Sequence, residues 1–325
     1  MSTGEMHISK EQFQYIARIS HGKDSMKMLD VIFTRGLPLD RITTTDVWAT
    51  DTIRGEHPKM VAFKDMADEY IWRKYRIEVE HLCAMRNGEK VTYEKMFYHV
   101  PVRRSQNVQV ERRQRQGTVL GFPTLWGPWC QPSKYEGLPT GFPLQKGAWC
   151  QKLKHIWVPG LLATEGPVVP KAQNQVFGQP RHEGREKYRE YLGIAADEPA
   201  RFGQLNERKR APLVEFGIEE DLCGLHCQYE GILAPSYETS CRDGCWMCHN
   251  QGVNSLRQLR KDYPHLWAIL LKWDKDSPVN FHPDGRTVHD YDRRFQMEDE
   301  GLLIPDDKKF RWAMLDDYSL NYRLF

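Results

Sequence analysis

The first quarter of the chain alternates between β-prone and helical segments, and this alternation restricts the fold more than any other feature. FQYIARI (13–19) predicts a strand, and MKMLDVIFTRG (26–36) carries apolar residues at helical spacing. RITTTDVWA (41–49) and RIEVEHLC (76–83) predict two more strands, with a second helical segment between them. A β-α-β-α-β order is typical of a parallel sheet covered by helices.

The second predicted helix begins at Pro58, since proline is well suited to the first helical position. We expect its buried stripe to consist of Phe63, Met66, Tyr70 and Ile71, which recur at helical spacing.

The rest of the chain divides into an insertion, a further strand and a helical region. Residues 101–180 are rich in proline, glycine and arginine, and we expect an insertion there. YREYLGIAADEPAR (188–201) predicts another strand, APLVEFGIEEDLC (211–223) a strand or turn, and residues after about 250 are predicted to be helical. We therefore predict an α/β domain over 1–215, with the insertion at about 101–180, and a cysteine-rich, helical region over 216–325.

Composition bounds the class of protein. The chain has 325 residues and a formal net charge of +2, so the overall charge neither favours nor excludes nucleic acid. No apolar run is long enough to span a membrane, and MSTGEMHISKEQ at the start has no hydrophobic segment. We expect a cytoplasmic protein with no membrane partner, in which thiols stay reduced.

The segment between the first strand and helix is Ser20-His21-Gly22-Lys23-Asp24-Ser25. Small residues at a helix N-terminus present backbone N–H groups and the positive end of the helix dipole, which favour phosphate. Lys23 adds a cation, and Ser20 and Ser25 add hydroxyl donors. The alternative is an ordinary strand-to-helix turn with a capping side chain.

The eight cysteines are unevenly distributed, with five between Cys223 and Cys248. Clustered thiols in a reduced compartment indicate metal or redox ligands rather than disulfides. Cys223, Cys227, Cys245 and Cys248 form two pairs at a spacing close to that of structural zinc sites. Cys241 and Cys150 would then remain as thiols, either of which could carry a persulfide.

The insertion has two further features. Arg103, Arg104, Arg112, Arg113 and Arg115 precede Trp126, Trp129 and Trp149, a mixture that suits a nucleic-acid partner, with a solvated charged loop as the alternative. GFPTLWGPWCQ (121–131) and GFPLQKGAWCQ (141–151) are two copies of one motif, which indicates a local duplication or paired turns.

Several motifs in order resemble one known family. They are SHGKDS, TDTIRGEHP, GFPLQKGAWCQKLK, YLGIAADEPAR, PLVEFGIEEDLC and RDGCWMCHN. Together they resemble the PAPS-reductase-like family of the PP-loop ATP pyrophosphatases, within the adenine nucleotide alpha-hydrolase superfamily, over residues 13–275. His21 departs from the commonest glycine, and histidine tolerates positive φ better than bulky residues do. The resemblance implies a HUP-like, Rossmann-like parallel sheet with helices on both faces.

The resemblance also implies roles for individual residues. Ser20, His21, Gly22, Lys23, Asp24 and Ser25 would bind the phosphates of an adenine nucleotide, and Asp51 would lie near the adenosine. Asp197, Glu198 and Arg201 fall at a strand-end acidic motif, where carboxylates could hold Mg²⁺ and the arginine could clamp phosphate. For each of these three residues, a surface ion pair is the alternative.

For the thiols, the resemblance implies a second possibility. In sulfonucleotide reductases and DNA-phosphorothioation proteins, a cysteine at the position of Cys150 and a late Cys-x-x-Cys bind a [4Fe–4S] cluster. Cys150, Cys245 and Cys248, with one of Cys223, Cys227 or Cys241, could do the same. We favour zinc here because its four ligands need no distant cysteine.

The expected activity is ATP-dependent adenylation of a nucleic acid or nucleotide with release of pyrophosphate, followed by sulfur transfer. Lys23, Asp51 and Cys150 are the expected catalytic residues. One alternative is PAPS or APS reduction, weakened because the Cys-Gly-Leu-His string at 223–226 lies far from the C-terminus. The other is a non-catalytic nucleotide-binding regulator that recruits a partner protein or DNA.

Overall fold

The computed structural model describes residues 13–86, 88–100, 122–123, 130–131, 138–143, 149–151, 153–154, 188–203, 205–239, 244–282, 284–305 and 307–315. These residues form two compact units that alternate along the chain. The first unit consists of described residues within Met1–Val47, Pro58–Lys90 and Lys152–Thr239. The second consists of those within Trp48–His57, Val91–Gln151 and Ser240–Phe325.

The secondary structure follows the predicted order in the first quarter of the chain. The strands are β1 (Gln14–Ile19), β2 (Arg41–Asp46), β3 (Val79–Cys83), β4 (Met85–Arg86), β5 (Glu89–Lys90), β6 (Phe122–Pro123), β7 (Cys130–Gln131), β8 (Tyr188–Leu192) and β9 (Lys209–Arg210). The helices are α1 (Lys23–Thr34), α2 (Pro58–Tyr75), α3 (Tyr93–Phe97), α4 (Pro199–Phe202), α5 (Pro212–Glu215), α6 (Glu220–Tyr229), α7 (Ser236–Thr239), α8 (Val253–Asp262), α9 (Pro264–Asp276) and α10 (Val288–Asp299). None of these helices combines the length and apolar character needed to cross a membrane.

A five-stranded sheet forms the centre of the first unit. Its strand order is β3-β2-β1-β8-β9, and every neighbouring pair is parallel. β1 pairs with β2 through Ile16 opposite Arg41, and with β8 through Gln14 opposite Tyr188. The predicted α/β, Rossmann-like arrangement with a parallel sheet is confirmed.

The core of the first unit lies between one face of this sheet and its helices. Ala17 and Ile19 of β1 share an apolar cluster with Ile42 of β2 and Tyr191 of β8, against buried residues of α1, α2 and α6. Side chains alternate across a strand, so Ile16 packs on the opposite face, with Tyr188. The helices expected on that second face stay a prediction.

Two local predictions need correction. Met66 is half-exposed, whereas Met60 and Ala67 are buried beside Phe63 and Ile71, because α2 is rotated from the orientation that its largest apolar residues suggested. The segment 211–223, predicted as a strand or turn, instead contains α5 and the start of α6. Glu220 and Asp221 lie in the first turn of α6, where the helix dipole favours negative charge.

The second unit has an aromatic core. Trp273 of α9 stacks on Tyr93 of α3 and on Trp246, with ring centroids 5.2 and 5.7 Å apart. Trp149 lies 4.6 Å from Tyr93 and donates from its indole nitrogen to the carbonyl of Gly141 at 3.3 Å. The predicted helices in the last part of the chain are confirmed as α8, α9 and α10, and Pro264 begins α9 as expected.

Candidate functional site

The order in which the strands are added to the sheet along the chain reverses between β1 and β8. From β1 the chain continues to β2 and β3 on one side, whereas β8 pairs with the other edge of β1. Loops at the carboxyl ends of β1 and β8 therefore flank a topological switch point, where open α/β sheets bind their ligands. The first loop is Ser20–Gly22, and the second is Gly193–Glu198.

The loop after β1 is held by its own polar groups. The Ser25 hydroxyl donates to the carbonyl of Gly22 at 2.9 Å, and the backbone N–H of Ser20 donates to the Ser25 hydroxyl at 3.3 Å. His21 has a φ of 60°, the left-handed conformation that non-glycine residues seldom adopt. This turn directs the first N–H groups of α1, which have no partner within the helix, towards the carboxyl end of the sheet.

The loop after β8 packs directly against the first turn of α1. A Cβ placed on Gly193 would lie 2.7 Å from the backbone nitrogen of Ser25 and 2.9 Å from the carbonyl carbon of Asp24. Only glycine permits this approach without displacement of backbone. The loop after β8 therefore packs closely on the start of α1, the helix that follows the loop at Ser20–Gly22.

Lys23 points its ammonium group at acidic partners. It pairs with the carboxylate of Glu220 at the start of α6 and, at 3.2 Å, with Asp24. It also lies 5.5 Å from the ring centre of Tyr237. Burial opposes the charge of this lysine, but the hydrogen bonds to Glu220 and Asp24 outweigh it and raise the Lys23 pKa.

Two carboxylates, those of Asp24 and Glu220, contact this lysine. Burial raises the pKa of Asp24, and the nearby Glu198 and Glu220 raise it further despite the opposing effect of Lys23. Asp197 accepts the backbone N–H of Glu220 at 3.1 Å. The predicted residues Asp24, Asp197 and Glu198 therefore lie close to one another and to Glu220.

Arg201 is occupied by a neighbour on its own segment. Its guanidinium donates to both carboxylate oxygens of Glu198, at 2.8 and 2.7 Å. Its side chain is about half-exposed. The pair matches the surface ion pair that the sequence offered as the alternative to a phosphate clamp.

A chain of polar and charged side chains begins at His21 of the loop, and its other members were missed from the sequence. His21 is fully buried, and its Nε2 lies 2.6 Å from Asp68 of α2. The other oxygen of Asp68 lies 2.7 Å from Nε2 of His81, whose Nδ1 lies 2.9 Å from Asp46. Asp46 in turn lies 3.6 Å from the Lys64 ammonium group. The chain links β1, β2, β3 and α2 at the carboxyl ends of the strands.

The hydrogen-bond pattern assigns the protonation states in this chain. His81 lies between two carboxylates, and hydrogen bonds to Asp46 and Asp68 raise its pKa to about 9. Burial lowers the pKa of His21 despite Asp68. His81 is therefore an imidazolium at neutral pH, whereas His21 is neutral and donates from Nε2. The Nδ1 of His21 is buried and has no hydrogen-bond partner among the described residues.

Asp51 belongs to the second unit. Its exposed carboxylate lies 2.9 Å from the ammonium group of Lys95. The segment that carries it also holds the Cys-x-x-Cys sequence, because Glu56 pairs with Cys245 in an antiparallel bridge and the N–H of Trp246 donates to Gly55 at 2.9 Å.

Three thiols lie near one another in the second unit. Burial raises the pKa of Cys150 to about 12, and Cys245 and Cys248 contribute to the same shift. All three thiols influence Tyr93, whose pKa burial raises strongly. The hydroxyl of Tyr93 is buried and makes no hydrogen bond within the described part of the chain.

Cys223 and Cys227 lie in the first unit instead. Both are fully buried on α6, in the core against α1, and the Cys227 thiol lies 3.6 Å from the carbonyl of Lys23. Burial raises the pKa of Cys223 to about 12 and that of Cys227 to about 11. The four predicted zinc ligands are thus shared between the two units.

The described residues hold no group of three or more His, Cys, Asp or Glu side chains arranged to hold a metal ion. Cys241, another candidate ligand, lies outside the described residues.

Other predicted binding residues also fall outside that part of the chain. They are Arg103, Arg104, Arg112, Arg113, Arg115, Trp126 and Trp129. Trp149, in contrast, is fully buried in the aromatic core and is not placed to stack on a base.

Some of the missed residues carried a signal in the sequence. Asp46 and His81 lie at or near the ends of predicted strands, and carboxyl ends of parallel strands meet at one edge of a sheet. Asp68 and Tyr93 carried none, because their positions depend on how α2 and α3 pack.

In comparisons with known proteins, the chain matches no family model, no curated protein and no solved structure.

Proposed function

We propose that this protein binds ATP at the switch point of its sheet and adenylates a substrate, either a nucleic acid or a nucleotide. The observation that carries the proposal is the close packing of Gly193, at the start of the loop after β8, against the first turn of α1, which begins at Lys23 directly after the loop at Ser20–Gly22. A HUP-like fold, as the motif resemblance implies, is consistent with this placement of a phosphate loop after the first strand.

In this reaction the substrate nucleophile attacks the α-phosphorus of ATP, a new bond to phosphorus forms, and pyrophosphate leaves. The N–H groups of the first turn of α1 and the ammonium group of Lys23 would stabilise negative charge on the phosphates as pyrophosphate departs. Asp197 and Glu198 would hold Mg²⁺, which supplies neutralisation of phosphate charge. A sulfur nucleophile would then displace AMP from the activated position.

Of the two metal proposals, an iron–sulfur cluster suits the donor set better than zinc. Its three described ligands, Cys150, Cys245 and Cys248, belong to one unit, whereas the zinc set draws on both units. The Tyr93 hydroxyl would gain a partner near those ligands. Such a cluster would supply electron transfer or sulfur chemistry when bound.

The burial of Cys223 supports adenylation over sulfonucleotide reduction. A nucleophilic thiol needs a lowered pKa and access to its substrate. Cys223 has neither, since its thiol is fully buried and its pKa is raised to about 12. Among the described residues no observation favours a non-catalytic regulator over an enzyme.

The proposal is tested by incubation with radiolabelled ATP, alone and with DNA or transfer RNA, and by measurement of pyrophosphate release. Lys23→Ala should abolish release, because the variant removes the cation at the loop. Lys27→Ala is the matched control, since that lysine lies one turn along α1 and pairs with Asp30 at 2.8 Å. Absence of pyrophosphate with every acceptor, or full activity of Lys23→Ala, would contradict adenylation.

The metal is tested on protein purified without oxygen. Iron and zinc content and the visible absorption spectrum should show iron that is lost in Cys150→Ser and kept in Cys223→Ser. Zinc that is lost in Cys223→Ser would support the other ligand set. Cys83→Ser, a change in β3 of the first unit, is the control.

A further inference from the structure

The buried imidazole of His21 connects the loop at Ser20–Gly22 to α2. His21 is the second residue of the loop, is fully buried and has a left-handed backbone. Such a conformation costs about 1 kcal/mol or more in a non-glycine residue and persists only where the surroundings hold it. Here the 2.6 Å contact from Nε2 to Asp68 holds the His21 side chain, and the Ser25 hydroxyl holds the loop backbone through the carbonyl of Gly22 and the N–H of Ser20.

Asp68 can play this part because its other oxygen is also engaged. His81 of β3 lies 2.7 Å from that oxygen and 2.9 Å from Asp46, the last residue of β2. Asp68, the residue of α2 that contacts His21, is therefore held in place by side chains of two strands, His81 of β3 and, through it, Asp46 of β2. Rotation of Asp68 away from His21 would break contacts with β3 as well.

We propose that His21 is a positioning residue for the nucleotide: it fixes the loop at Ser20–Gly22 through Asp68, and His81 keeps Asp68 in place. This inference rests on the proposed nucleotide-binding function, because the loop is what would bind phosphate. His21 itself need not touch the ligand, since its side chain is completely buried.

The same geometry makes the anchor sensitive to pH on the acid side. The groups that face His21 are Asp68 and Lys64 of α2 and His81 of β3. Protonation of His21 would add an N–H at Nδ1, which is buried with no acceptor among the described residues. The His21 pKa lies below its ordinary 6.5, so the neutral, anchored form still predominates at pH 6.5 and is lost only as the pH falls below that lowered pKa.

The alkaline limit of the pH range in which the loop is ordered is set by His81. Asp46 and Asp68 face its two nitrogens and raise its pKa to about 9. When His81 loses its proton, one nitrogen presents a lone pair to a carboxylate, and the restraint on Asp68 weakens. Loop order, and with it ATP affinity, should be greatest above the lowered pKa of His21 and below about pH 9.

The experiment measures two quantities from well below pH 6.5 to above pH 9: the dissociation constant of Mg·ATP, and hydrogen exchange of the backbone amides at Ser20–Met26 without nucleotide. In the wild-type protein, affinity should fall about tenfold above pH 9, in parallel with faster exchange. His81→Gln should lose the alkaline step in both quantities. His21→Gly, which permits positive φ but cannot reach Asp68, should bind about tenfold more weakly at neutral pH and lose the acid step.

Glu80→Gln is the matched control. Glu80 is adjacent to His81 in the sequence, but it accepts hydrogen bonds from Arg41 of β2 and takes no part in the series of contacts from His21 to Lys64. Circular dichroism at each pH establishes that the variants are folded. An alkaline step that persists in His81→Gln, or wild-type affinity and exchange in His21→Gly, would overturn the proposal. If ATP does not bind at any pH but exchange follows His21 and His81, the proposed function fails and the positioning role stands.

Discussion

Glu220, at the start of α6, places its carboxylate on the ammonium group of Lys23, at the start of α1. An acidic residue is favourable at its own helix N-terminus, and here it also neutralises the cation of the other helix. A phosphate that approached Lys23 would have to exchange with this carboxylate. Glu220 therefore competes with the ligand proposed for the loop.

The first prediction concerns this competition. Glu220→Gln should strengthen Mg·ATP binding by about three- to tenfold, because the amide keeps the shape of the side chain without its charge. Asp221→Asn, an exposed acid on the same turn of α6, should leave affinity nearly unchanged. Equilibrium dialysis with labelled ATP measures both. Weaker binding in Glu220→Gln would instead indicate that the carboxylate serves the nucleotide, for example through Mg²⁺.

The second prediction concerns the close approach at the switch point. Gly193→Ala should lower the free energy of unfolding by about 1–3 kcal/mol, since the added Cβ meets backbone atoms of α1 that cannot move aside. It should also weaken ATP binding. Gly224→Ala, within α6, should instead stabilise the protein by about 0.5–1 kcal/mol, because its Cβ meets only a lysine methylene at 3.9 Å. Urea unfolding checks both, and equal effects would contradict the packing argument.

The third prediction is the pH dependence of stability. The His81 pKa is raised from 6.5 to about 9 on folding, so its contribution is complete below pH 6.5 and disappears as the pH rises through about 9. We expect about 1–2 kcal/mol, less than the full linkage value, since the side chain is partly exposed to solvent. Urea unfolding of wild type and His81→Gln across this range should show the loss only in wild type.

The fourth prediction separates a structural from a ligand-binding role for Tyr93. In metal-free protein, Tyr93→Phe should be neutral or stabilising by up to about 1 kcal/mol, since it removes a buried hydroxyl that lacks a partner. Tyr98→Phe is the control and should cost about 1 kcal/mol, because that hydroxyl donates to Asp276 at 2.5 Å. A large loss of stability in Tyr93→Phe would show that the hydroxyl has a partner in the protein itself.

Much of the first unit was predictable from local pattern. Apolar residues alternate along Gln14–Ile19 with a period of two residues, and they recur along Lys23–Thr34 with a period of 3.6 residues. Both periods are visible within the segment itself and do not depend on distant segments. The residues of the loop at Ser20–Ser25 were recognisable for the same reason, since a strand, a small-residue turn and a helix are contiguous. APLVEFGIEEDLC was harder, because short apolar runs fit a strand or a helix equally well.

The residues missed were those whose role depends on packing. Nothing near Asp68 in the sequence indicates that it reaches His21, 47 residues earlier. The cysteines show the same limit. Spacing grouped Cys223 and Cys227 with Cys245 and Cys248, but a helix buried the first pair against α1 and left the second in another unit with Cys150.

The sequence by itself determined the order of strands and helices in the first quarter of the chain and the loop at Ser20–Ser25, because hydrophobic period and turn chemistry act over a few residues. Only the tertiary structure decided which side chains lie together: Glu220 with Lys23, His21 with Asp68, and Cys150 in the same unit as the late Cys-x-x-Cys. These contacts depend on how the helices are rotated and on which strands become neighbours. The free energy of that packing is spread over the whole core.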